Sequence, residues 1–428
     1  MTTVGIGVLG AGTVGGTLVR RLVEDRAAIE AKAGLDLEVR RVAVRDPDRP
    51  RPFVLPPGVL TDRPEQVVAD PAVDLVVEVM GGRQPAGELV LQALRAGKPV
   101  VTANKELIAA EGRGLIEAAA ASGVSLLFEA AVGGGIPIIR PLSETLAGEP
   151  LTRVLGIVNG TTNYILTRMA EEGTGYAEAL RAAQELGYAE ADPSADVGGG
   201  DAAAKAAILA SLAFGTWVGG DRVYREGIDG LDATDFRFAH RLGYVVKLLA
   251  IAEKFPAGVS TRVHPALIRT DHPLASIRGA TNAVFVSGPS IGELLFAGPG
   301  AGGAPTATAV LGDVIDAARE LLAEAQVAPR IRFAPGEILD FAAVETKWYL
   351  RLKVLDRPGV LASIAAVFGE AGVSIKSVWQ EGTGDLADLL MVTHAAPEGR
   401  QRAAVEGLRG LEVVREVAAV IRVESEEE

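Results

Sequence analysis

The sequence predicts an α/β protein built from three parts, each with its own pattern. Apolar strand-like runs alternate with helical segments over residues 1–130, which favours a parallel sheet with helices on both faces. Residues 131–340 combine alanine-rich helices with short β-like runs, as expected for an α+β domain. Residues 346–423 follow a βαββαβ order. A chain of 428 residues is also too long for one ordinary hydrophobic core.

The first part begins with a strand over Val4–Leu9, followed by a glycine-rich turn and a helix that we expect to reach about Val23. Further strands are predicted at Leu37–Val44, Leu75–Met80 and Pro99–Thr102. The last two each follow a helical segment, so the alternation typical of a parallel sheet continues through this part.

The other two parts are predicted with shorter, more varied elements. The middle part has two helices, two strands and a last helix that is a candidate to pack against the first part: Tyr176–Leu186, Asp201–Phe214, Arg153–Val158, Ala283–Val286 and Val310–Leu322. After a linker at Ala334–Glu337, the tail has strands and helices in the order Lys347–Val354, Val360–Ala371, Val373–Trp379, Leu386–Thr393, 399–408 and Val413–Val423. We expect residues 424–428 to form a disordered acidic tail.

Composition excludes several classes of function. The formal net charge of −13 disfavours binding to nucleic acid or to an anionic membrane. Cysteine is absent, which excludes disulfides, thiolate metal sites and cysteine nucleophiles. The four histidines have no metal-ligand spacing, and His264 and His272, each before a proline, are expected in loops. The first residues do not resemble a signal peptide, so we expect a soluble cytoplasmic protein.

The glycine-rich turn predicts a dinucleotide site. Gly10, Gly12 and Gly15 fit the pattern G-x-G-x-x-G directly between a strand and a helix, with Thr13 and Val14 opening that helix. This arrangement brings backbone amides and a helix N-terminus to a pyrophosphate, as in a Rossmann domain. A glycine turn with no ligand is the alternative.

The end of the second strand bears on the choice of cofactor. Arg45 lies at a position where an arginine would accommodate the 2′-phosphate of NADP. Asp46 follows it directly, and an acid at this strand end would instead bind the ribose 2′-hydroxyl of NAD. We therefore expect NADP, with NAD possible. A solvated surface arginine is the alternative for Arg45.

Two polar stretches are candidates for catalysis. Asn104 and Lys105 follow a buried strand, at the edge of a parallel sheet where ligands bind. Asp201 and Lys205 are four residues apart on the first turn of a helix, after a glycine-rich loop that holds further carboxylates. The alternatives are a solvated lysine and an acidic surface loop with an ordinary i,i+4 salt bridge.

The order of residues in the second stretch resembles a known family. From Ala183 to Lys205 the chain has A-x3-G-Y-A-E-x-D-P-x2-D-V-x-G-x-D-x3-K, which resembles the signature of homoserine dehydrogenases. The resemblance covers residues 1 to about 330 and includes five further segments: Val100–Leu107, Glu129–Ile138, Asn159–Leu166, Val263–Val286 and Gly298–Thr308.

The resemblance implies NAD(P)H-dependent reduction of L-aspartate 4-semialdehyde to L-homoserine, for threonine, methionine and isoleucine biosynthesis. It assigns Lys105 and Lys205 to proton handling, with Lys105 also near the cofactor. It assigns four positions to the substrate: Glu190, Asp201, Thr161 and the backbone of Gly160. It also assigns a sodium ion to oxygens, largely of the backbone, at Glu129, Val132, Gly134 and Ile136. A purely structural glycine turn is the alternative for that loop.

The tail resembles an ACT domain, a module that binds amino acids. The resemblance depends on the strand–turn segment Leu355–Leu361 and on the order of the elements. By analogy with the family the effector is L-threonine, and a dimerisation module without a ligand is the alternative. We expect a homodimer through the middle domain, or a homotetramer once the tail domains pair.

Other classes of function are compatible with parts of the sequence. Another Rossmann dehydrogenase with a different substrate is one, although aspartate-semialdehyde dehydrogenase needs a cysteine that this chain lacks. A sensor that binds NADP and an amino acid without turnover is the other.

Overall fold

The computed structural model describes residues 2–323, 330–382 and 384–424. The chain divides into two compact units. The first unit consists of Met1–Leu151, Ala207–Arg222 and Asn282–Pro335, and the second of Thr152–Ala206, Val223–Thr281 and Gly336–Glu428. Among the helices of the described ranges, none is long and apolar enough to cross a membrane.

The first 127 residues form a six-stranded sheet with helices between its strands. The elements in chain order are β1 (Thr3–Leu9), α1 (Thr13–Glu24), α2 (Arg26–Ala33), β2 (Asp36–Ala43), β3 (Leu60–Thr61), α3 (Pro64–Ala69), β4 (Leu75–Glu78), α4 (Ala86–Arg95), β5 (Val100–Thr102), α5 (Lys105–Ser122) and β6 (Leu126–Leu127). The strand order is β3-β2-β1-β4-β5-β6, and each pair is parallel. The predicted parallel α/β sheet is confirmed.

The rest of the chain supplies the remaining elements of both units. In chain order these are β7 (Arg153–Ile157), α6 (Gly160–Glu172), α7 (Tyr176–Glu185), α8 (Ser194–Val197), α9 (Gly200–Phe214), β8 (Tyr224–Arg225), α10 (Ala233–Arg241), β9 (Tyr244–Phe255), β10 (Gly258–Arg269), β11 (Thr281–Gly288), β12 (Gly292–Pro299), α11 (Gly303–Leu322), β13 (Glu345–Leu355), α12 (Val360–Glu370), β14 (Ile375–Glu381), β15 (Leu386–Thr393), β16 (Ala396–Pro397), α13 (Glu398–Arg409) and β17 (Val414–Glu424).

The helix α11 belongs to the core of the first unit. Its buried residues Val310, Leu311 and Val314 lie in the same apolar cluster as Ile6 of β1 and Leu18 of α1. The close packing of α11 against α1 begins at Gly303, where a Cβ atom would lie 3.1 Å from the Thr13 carbonyl oxygen. A chain segment 300 residues from the N-terminus therefore covers the parallel sheet.

One mixed, mostly antiparallel sheet runs through the second unit from its middle residues into the tail. Within this unit its strand order is β7-β9-β10-β17-β13-β15-β14. The strands β13, β14, β15 and β17 with α12 and α13 form the tail module, residues 345–424, which has the predicted βαββαβ order. β17 pairs in parallel with β10, with Ala266 opposite Arg422. The sheet of the tail module is therefore continuous with that of residues 152–281.

The long strands β9 and β10 were not predicted from the sequence. Long consecutive runs of both strands are buried, Val246–Ala252 in β9 and Val259–Ile268 in β10, so hydrophobic and polar residues do not alternate with a period of two. Pro265 lies inside β10, where a proline argues against a central strand.

The prediction that His264 shapes a loop is wrong. His264 lies in β10, is fully buried and stacks on Phe341 with ring centroids 5.8 Å apart. Burial lowers the pKa of His264 to about 3, so its ring is neutral at physiological pH. His272 does lie in a turn, where its Nδ1 accepts a hydrogen bond from the Leu274 amide at 3.0 Å.

The predicted disordered tail does not begin at Glu424. This residue ends β17, and its carboxylate pairs with Arg153 and with Arg262, whose Nη2 is 3.2 Å away. The prediction is wrong at this position because a buried carboxylate beside two arginines is stabilised, whereas composition alone shows only a run of acids. Residues 425–428 lie outside the described ranges.

A buried ion pair fastens the tail module to α10. Arg351 of β13 donates from Nε to Asp235 Oδ1 at 2.7 Å and from Nη2 to Asp235 Oδ2 at 3.0 Å. Asp235 is fully buried and Arg351 is 5% exposed. A bidentate pair of this kind has a defined geometry, but each charge depends on the other because neither is hydrated.

We predict that Arg351→Met lowers the free energy of unfolding by about 3–5 kcal/mol, because it leaves the Asp235 carboxylate buried without its cation. The double variant Arg351→Met, Asp235→Leu should recover most of this loss. Urea denaturation measures both. The control is Lys353→Met, on the same strand as Arg351, which breaks the exposed pair with Glu416 of β17. It should lower the free energy of unfolding by less than about 1 kcal/mol. A single variant as stable as this control would contradict the prediction.

Candidate active site

The glycine-rich turn after β1 fits a dinucleotide. Gly10 has φ +99°, and a Cβ there would lie 2.9 Å from the Val79 carbonyl oxygen. A Cβ on Gly15 would lie 2.1 Å from the Gly10 carbonyl oxygen, so only glycine lets the helix pack this closely on the turn. Gly12 has open space around its Cα and caps α1 without a side chain. The turn thus provides a tight bend, close packing and an open approach to helix amides, as pyrophosphate binding requires.

An open cleft of about 590 Å³ begins at this turn. Arg45, Asp46, Arg49 and Arg51 line one end of it. Asp46 Oδ1 accepts from the Asp48 amide at 3.0 Å, and Arg51 donates to three carbonyl oxygens of the same loop. The side chains of Arg45 and Arg49 are exposed, and neither guanidinium bonds to another residue of the described ranges. Two cations of the cleft thus remain available to an anionic ligand.

A buried carboxylate joins the ends of β4 and β5. Glu78 is fully buried; its Oε2 accepts from Thr102 Oγ1 at 2.6 Å and its Oε1 from the Met80 amide at 2.8 Å. Thr102 Oγ1 in turn accepts from the Asn104 amide at 3.0 Å. The sequence analysis missed Glu78, although an acid inside the apolar run of β4 is a signal that could have found it.

Asn104 then sets the position of Lys105. Its Oδ1 accepts from the Leu107 amide at 3.1 Å, which caps α5, and its Nδ2 donates to the Gly82 carbonyl at 2.6 Å. Lys105 is consequently the first residue of α5, half-buried, at the carboxyl end of β5.

Asp201 and Lys205 form a buried pair in the second unit. Each residue is 8% exposed, and Lys205 Nζ lies 2.7 Å from Asp201 Oδ2. The same nitrogen donates to the Val158 carbonyl at 2.7 Å. The alternative of an ordinary surface salt bridge is therefore excluded, since such pairs are exposed and contribute little.

Asn159 connects this pair to the start of α6. Its Nδ2 donates to Asp201 Oδ2 at 2.9 Å and to Asp196 Oδ1 at 2.7 Å. Its Oδ1 accepts from the Thr162 amide at 2.8 Å, so Asn159 also caps α6. Asn159 and Asp196 were not among the predicted site residues. The N-cap pattern of Asn before a helix gives a structural signal for Asn159, but not its contact with Asp201.

The other residues predicted to bind substrate lie on neighbouring turns of the second unit. Gly160 and Thr161 open α6, and Thr161 Oγ1 donates to the Tyr188 carbonyl at 2.6 Å. The side chain of Glu190 is exposed, and its backbone carbonyl accepts from Gln184 Nε2 at 3.1 Å. Tyr188 packs against Tyr164 with ring centroids 5.0 Å apart and ring planes tilted by 45°. The structure thus brings Thr161 to the loop that precedes Glu190.

The predicted cation loop is held by the side chain of Glu129. The two carboxylate oxygens accept from the amides of Ile138, Ile139 and Arg140 at 2.6, 2.8 and 2.9 Å. Gly134 has φ +56°, and a Cβ there would lie 2.5 Å from the Gly300 carbonyl oxygen. Within the described ranges, no group of three histidine or acidic side chains could hold a metal. A cation here would have to take backbone oxygens.

Asp313 supports the same loop. Its Oδ2 accepts from the Glu129 amide at 2.8 Å, and its Oδ1 from Arg140 Nη2 at 3.0 Å. Burial raises the pKa of Asp313 to about 7, against the opposing effect of these hydrogen bonds.

Comparison with known proteins finds related families for all three parts of the chain. Three family models match the chain: homoserine dehydrogenase NAD-binding domain over residues 10–129, homoserine dehydrogenase over 137–315, and ACT domain over 348–412. The homoserine dehydrogenase of Corynebacterium glutamicum is 47% identical over 428 residues, covering 99% of this chain and 96% of that protein. That of Mycobacterium tuberculosis is 47% identical over 434 residues, covering 98% of each.

Solved structures give the same result. A homoserine dehydrogenase from Thiobacillus denitrificans has a TM-score of 0.92 and 42% identity, covering 99% of this chain and 98% of that one. A hyperthermophilic archaeal homoserine dehydrogenase in complex with NADPH has a TM-score of 0.63 and 29% identity, covering 76% of this chain and all of that one. The resemblance found in the sequence is therefore confirmed, and the chain belongs to the homoserine dehydrogenase family of oxidoreductases and carries a C-terminal ACT domain.

Proposed function

We propose that the chain interconverts L-aspartate 4-semialdehyde and L-homoserine with NADP, in the biosynthesis of threonine, methionine and isoleucine. The observation that supports this best is the buried Asp201–Lys205 pair, held by Asn159 beside the start of α6. Burying a cation and an anion this way is costly in stability, so a functional need for the lysine accounts for it better than a structural one.

Lys205 is proposed to hold the proton that the substrate oxygen exchanges. A protonated lysine has three N–H donors, and two of them go to Asp201 and to the Val158 carbonyl. The third can therefore donate to the substrate oxygen as its charge develops, and Asp201 holds the ammonium in place. The nicotinamide, when bound, supplies or accepts the hydride.

The remaining residues have proposed roles in orienting the substrate. The exposed carboxylate of Glu190 suits the positively charged amino group of homoserine. Thr161 and the backbone of Gly160 would contact the substrate from the first turn of α6. Lys105, fixed at the first position of α5, would contact the cofactor and contribute to proton handling.

NADP is the proposed cofactor because Arg45 and Arg49 line the cleft while Asp46 is hydrogen-bonded within its own loop. The NADPH complex of the archaeal relative supports a reduced nicotinamide of this type. A monovalent cation, sodium, is proposed at the backbone oxygens of Glu129, Val132, Gly134 and Ile136.

The ACT domain suggests regulation by an amino acid, and we propose L-threonine as the effector. Its site would be the turn between β13 and α12, where Asp356 and Gly359 line an open cavity of about 470 Å³ with Gln380. A homodimer, or a homotetramer that pairs the tail modules, is the proposed assembly.

We predict that Lys205→Met lowers kcat for homoserine oxidation by about 10²–10⁴-fold, because it removes the proton donor and acceptor. Binding of NADPH, followed by its fluorescence, should remain within about twofold, since Lys205 is not in the unit that holds the glycine-rich turn. Lys254→Met, at an exposed position of β9, is the control. Turnover of Lys205→Met close to that of the control would reject the proposed role.

The double variant Arg45→Ala, Arg49→Ala should lower kcat/KM for NADP by about 10–100-fold, because charged hydrogen bonds to a phosphate contribute about 1.5–3 kcal/mol. The value for NAD should change little, since NAD has no 2′-phosphate. The control is Arg95→Ala, on the exposed last turn of α4. Equal losses with both cofactors would show that the arginines do not read the 2′-phosphate.

L-Threonine is expected to change the rate of the unaltered enzyme, measured by the absorbance of the reduced nicotinamide with other amino acids in parallel. Asp356→Ala should weaken the response by about tenfold or more, because a carboxylate that binds the effector's amino group contributes about 1.5–3 kcal/mol. Asp385→Ala, on the loop before β15, is the control. A response unchanged in Asp356→Ala would place the effector elsewhere.

A further inference from the structure

A buried arginine of the tail module bonds two residues outside the module, Glu226 and Tyr224. Arg422 of β17 is 3% exposed, and its Nη2 lies 2.7 Å from Glu398 Oε1 within the tail. Its Nη1 pairs with Glu226 Oε2, which follows β8 in the middle of the chain. Tyr224 Oη lies 3.1 Å from the same Glu226 oxygen and 3.3 Å from Arg422 Nη2. The guanidinium thus joins two carboxylates from different parts of the second unit.

The tail module does not need Glu226 to satisfy its own charges. The fully buried Glu398 accepts from Arg422 and also from Trp348 Nε1 at 2.9 Å and Thr346 Oγ1 at 2.8 Å. The side chain of Glu226 is 37% exposed and could be hydrated instead. Its contact with Arg422 is therefore an additional ionic link between the tail module and the segment that follows β8.

That segment packs directly on the loop before α9. The Ile228 amide donates to the Val197 carbonyl at 2.9 Å. A Cβ on Gly227 would lie 2.5 Å from that same carbonyl oxygen, and a Cβ on Gly199, which has φ +77°, would lie 3.3 Å from the Glu226 carbonyl oxygen. The two backbones touch with no side chain between them, so a shift of residue 226 or 227 must move residues 197–199.

The loop leads at once into the catalytic pair. The helix α9 begins at Gly200, and its first turns carry Asp201 and Lys205. Asp196, just before the loop, is bonded to Asn159, which also bonds Asp201. A chain of direct contacts therefore runs from Arg422 through Glu226 and the 197–200 loop to the pair. Such close packing transmits displacement rather than absorbing it.

Glu226 and Arg422 are both attached to the strand β10. The Glu226 amide donates to the Val263 carbonyl of β10 at 2.8 Å, and Arg422 lies opposite Ala266 of the same strand. Sliding or twisting of β17 against β10 would thus change the distance between the two charged groups. An effector that favours one arrangement of the tail strands would act on this distance.

We propose that Arg422 and Glu226 are positioning residues that connect the tail module to the Asp201–Lys205 pair, and that amino-acid binding to the tail acts on homoserine binding through them. The proposal rests on the function proposed above for that pair. It concerns substrate affinity and effector response, since both residues belong to the second unit and the glycine-rich turn belongs to the first.

The test uses Glu226→Gln in the full-length enzyme, which keeps the shape of the side chain and removes its charge. We expect KM for homoserine to rise by at least about fivefold and the L-threonine response to fall by a similar factor. KM for NADP and the melting temperature should remain near the unaltered values. The matched control is Glu416→Gln, which removes a carboxylate from β17, the strand of Arg422, where Glu416 pairs with the exposed Lys353.

A measurement without turnover separates this proposal from the proposed reaction. Hydrogen–deuterium exchange of the segment 197–205 should be faster in Glu226→Gln than in the unaltered enzyme and unchanged in Glu416→Gln. Unchanged exchange, or an unchanged KM for homoserine, would overturn the positioning role. An intact threonine response in Glu226→Gln, or no response to any amino acid in the unaltered enzyme, would overturn the proposal that amino-acid binding to the tail acts through Glu226. If the unaltered enzyme shows no turnover but exchange of the segment 197–205 changes in Glu226→Gln as expected, the proposed reaction is rejected and the positioning role is kept.

Discussion

The site in the second unit depends on the burial of one ammonium group. Lys205 is held between Asp201 and the Val158 carbonyl, and Asn159 bonds the same carboxylate while it caps α6. Asn159 caps the start of α6, and Asp201, which it bonds, lies on the first turn of α9. Because a buried ion pair is stable only with near-ideal geometry, the strand and two helices around it must keep their positions. The proposed chemistry uses this rigidity to present one remaining N–H to a substrate.

The continuous sheet of the second unit gives the same lysine a connection to the ACT domain. β17 pairs with β10, and two ion pairs, Arg351–Asp235 and Arg422–Glu226, join the tail module to residues 223–281 of the second unit. A regulatory module attached by a flexible linker would have neither. The first unit solves a separate problem with backbone geometry, since three glycines there build the turn that suits a pyrophosphate.

The sequence was sufficient for most elements and for the family, because strand–helix alternation, the glycine pattern and the ordered residues from Ala183 to Lys205 are local signals. It was insufficient for β9 and β10, whose burial on both faces removes the period of two, and for His264, which lies inside β10. Contacts between residues distant in sequence were also missed: an acid in an apolar run marks Glu78 and a helix cap marks Asn159, but their bonds to Thr102 and Asp201 appear only in the folded chain. The roles assigned to the site residues all stay predictions, those of Glu190 and of the cation loop among them.

A crystal structure of the enzyme with NADP and L-homoserine tests the central claim most directly. The account predicts that the substrate hydroxyl lies within hydrogen-bonding distance of Lys205 Nζ, with the bonds from Nζ to Asp201 and Val158 still in place. It also predicts the amino group of the substrate beside the Glu190 carboxylate. A substrate hydroxyl that contacts another residue, with Lys205 still closed against Asp201 and shielded from the ligand, would contradict the account.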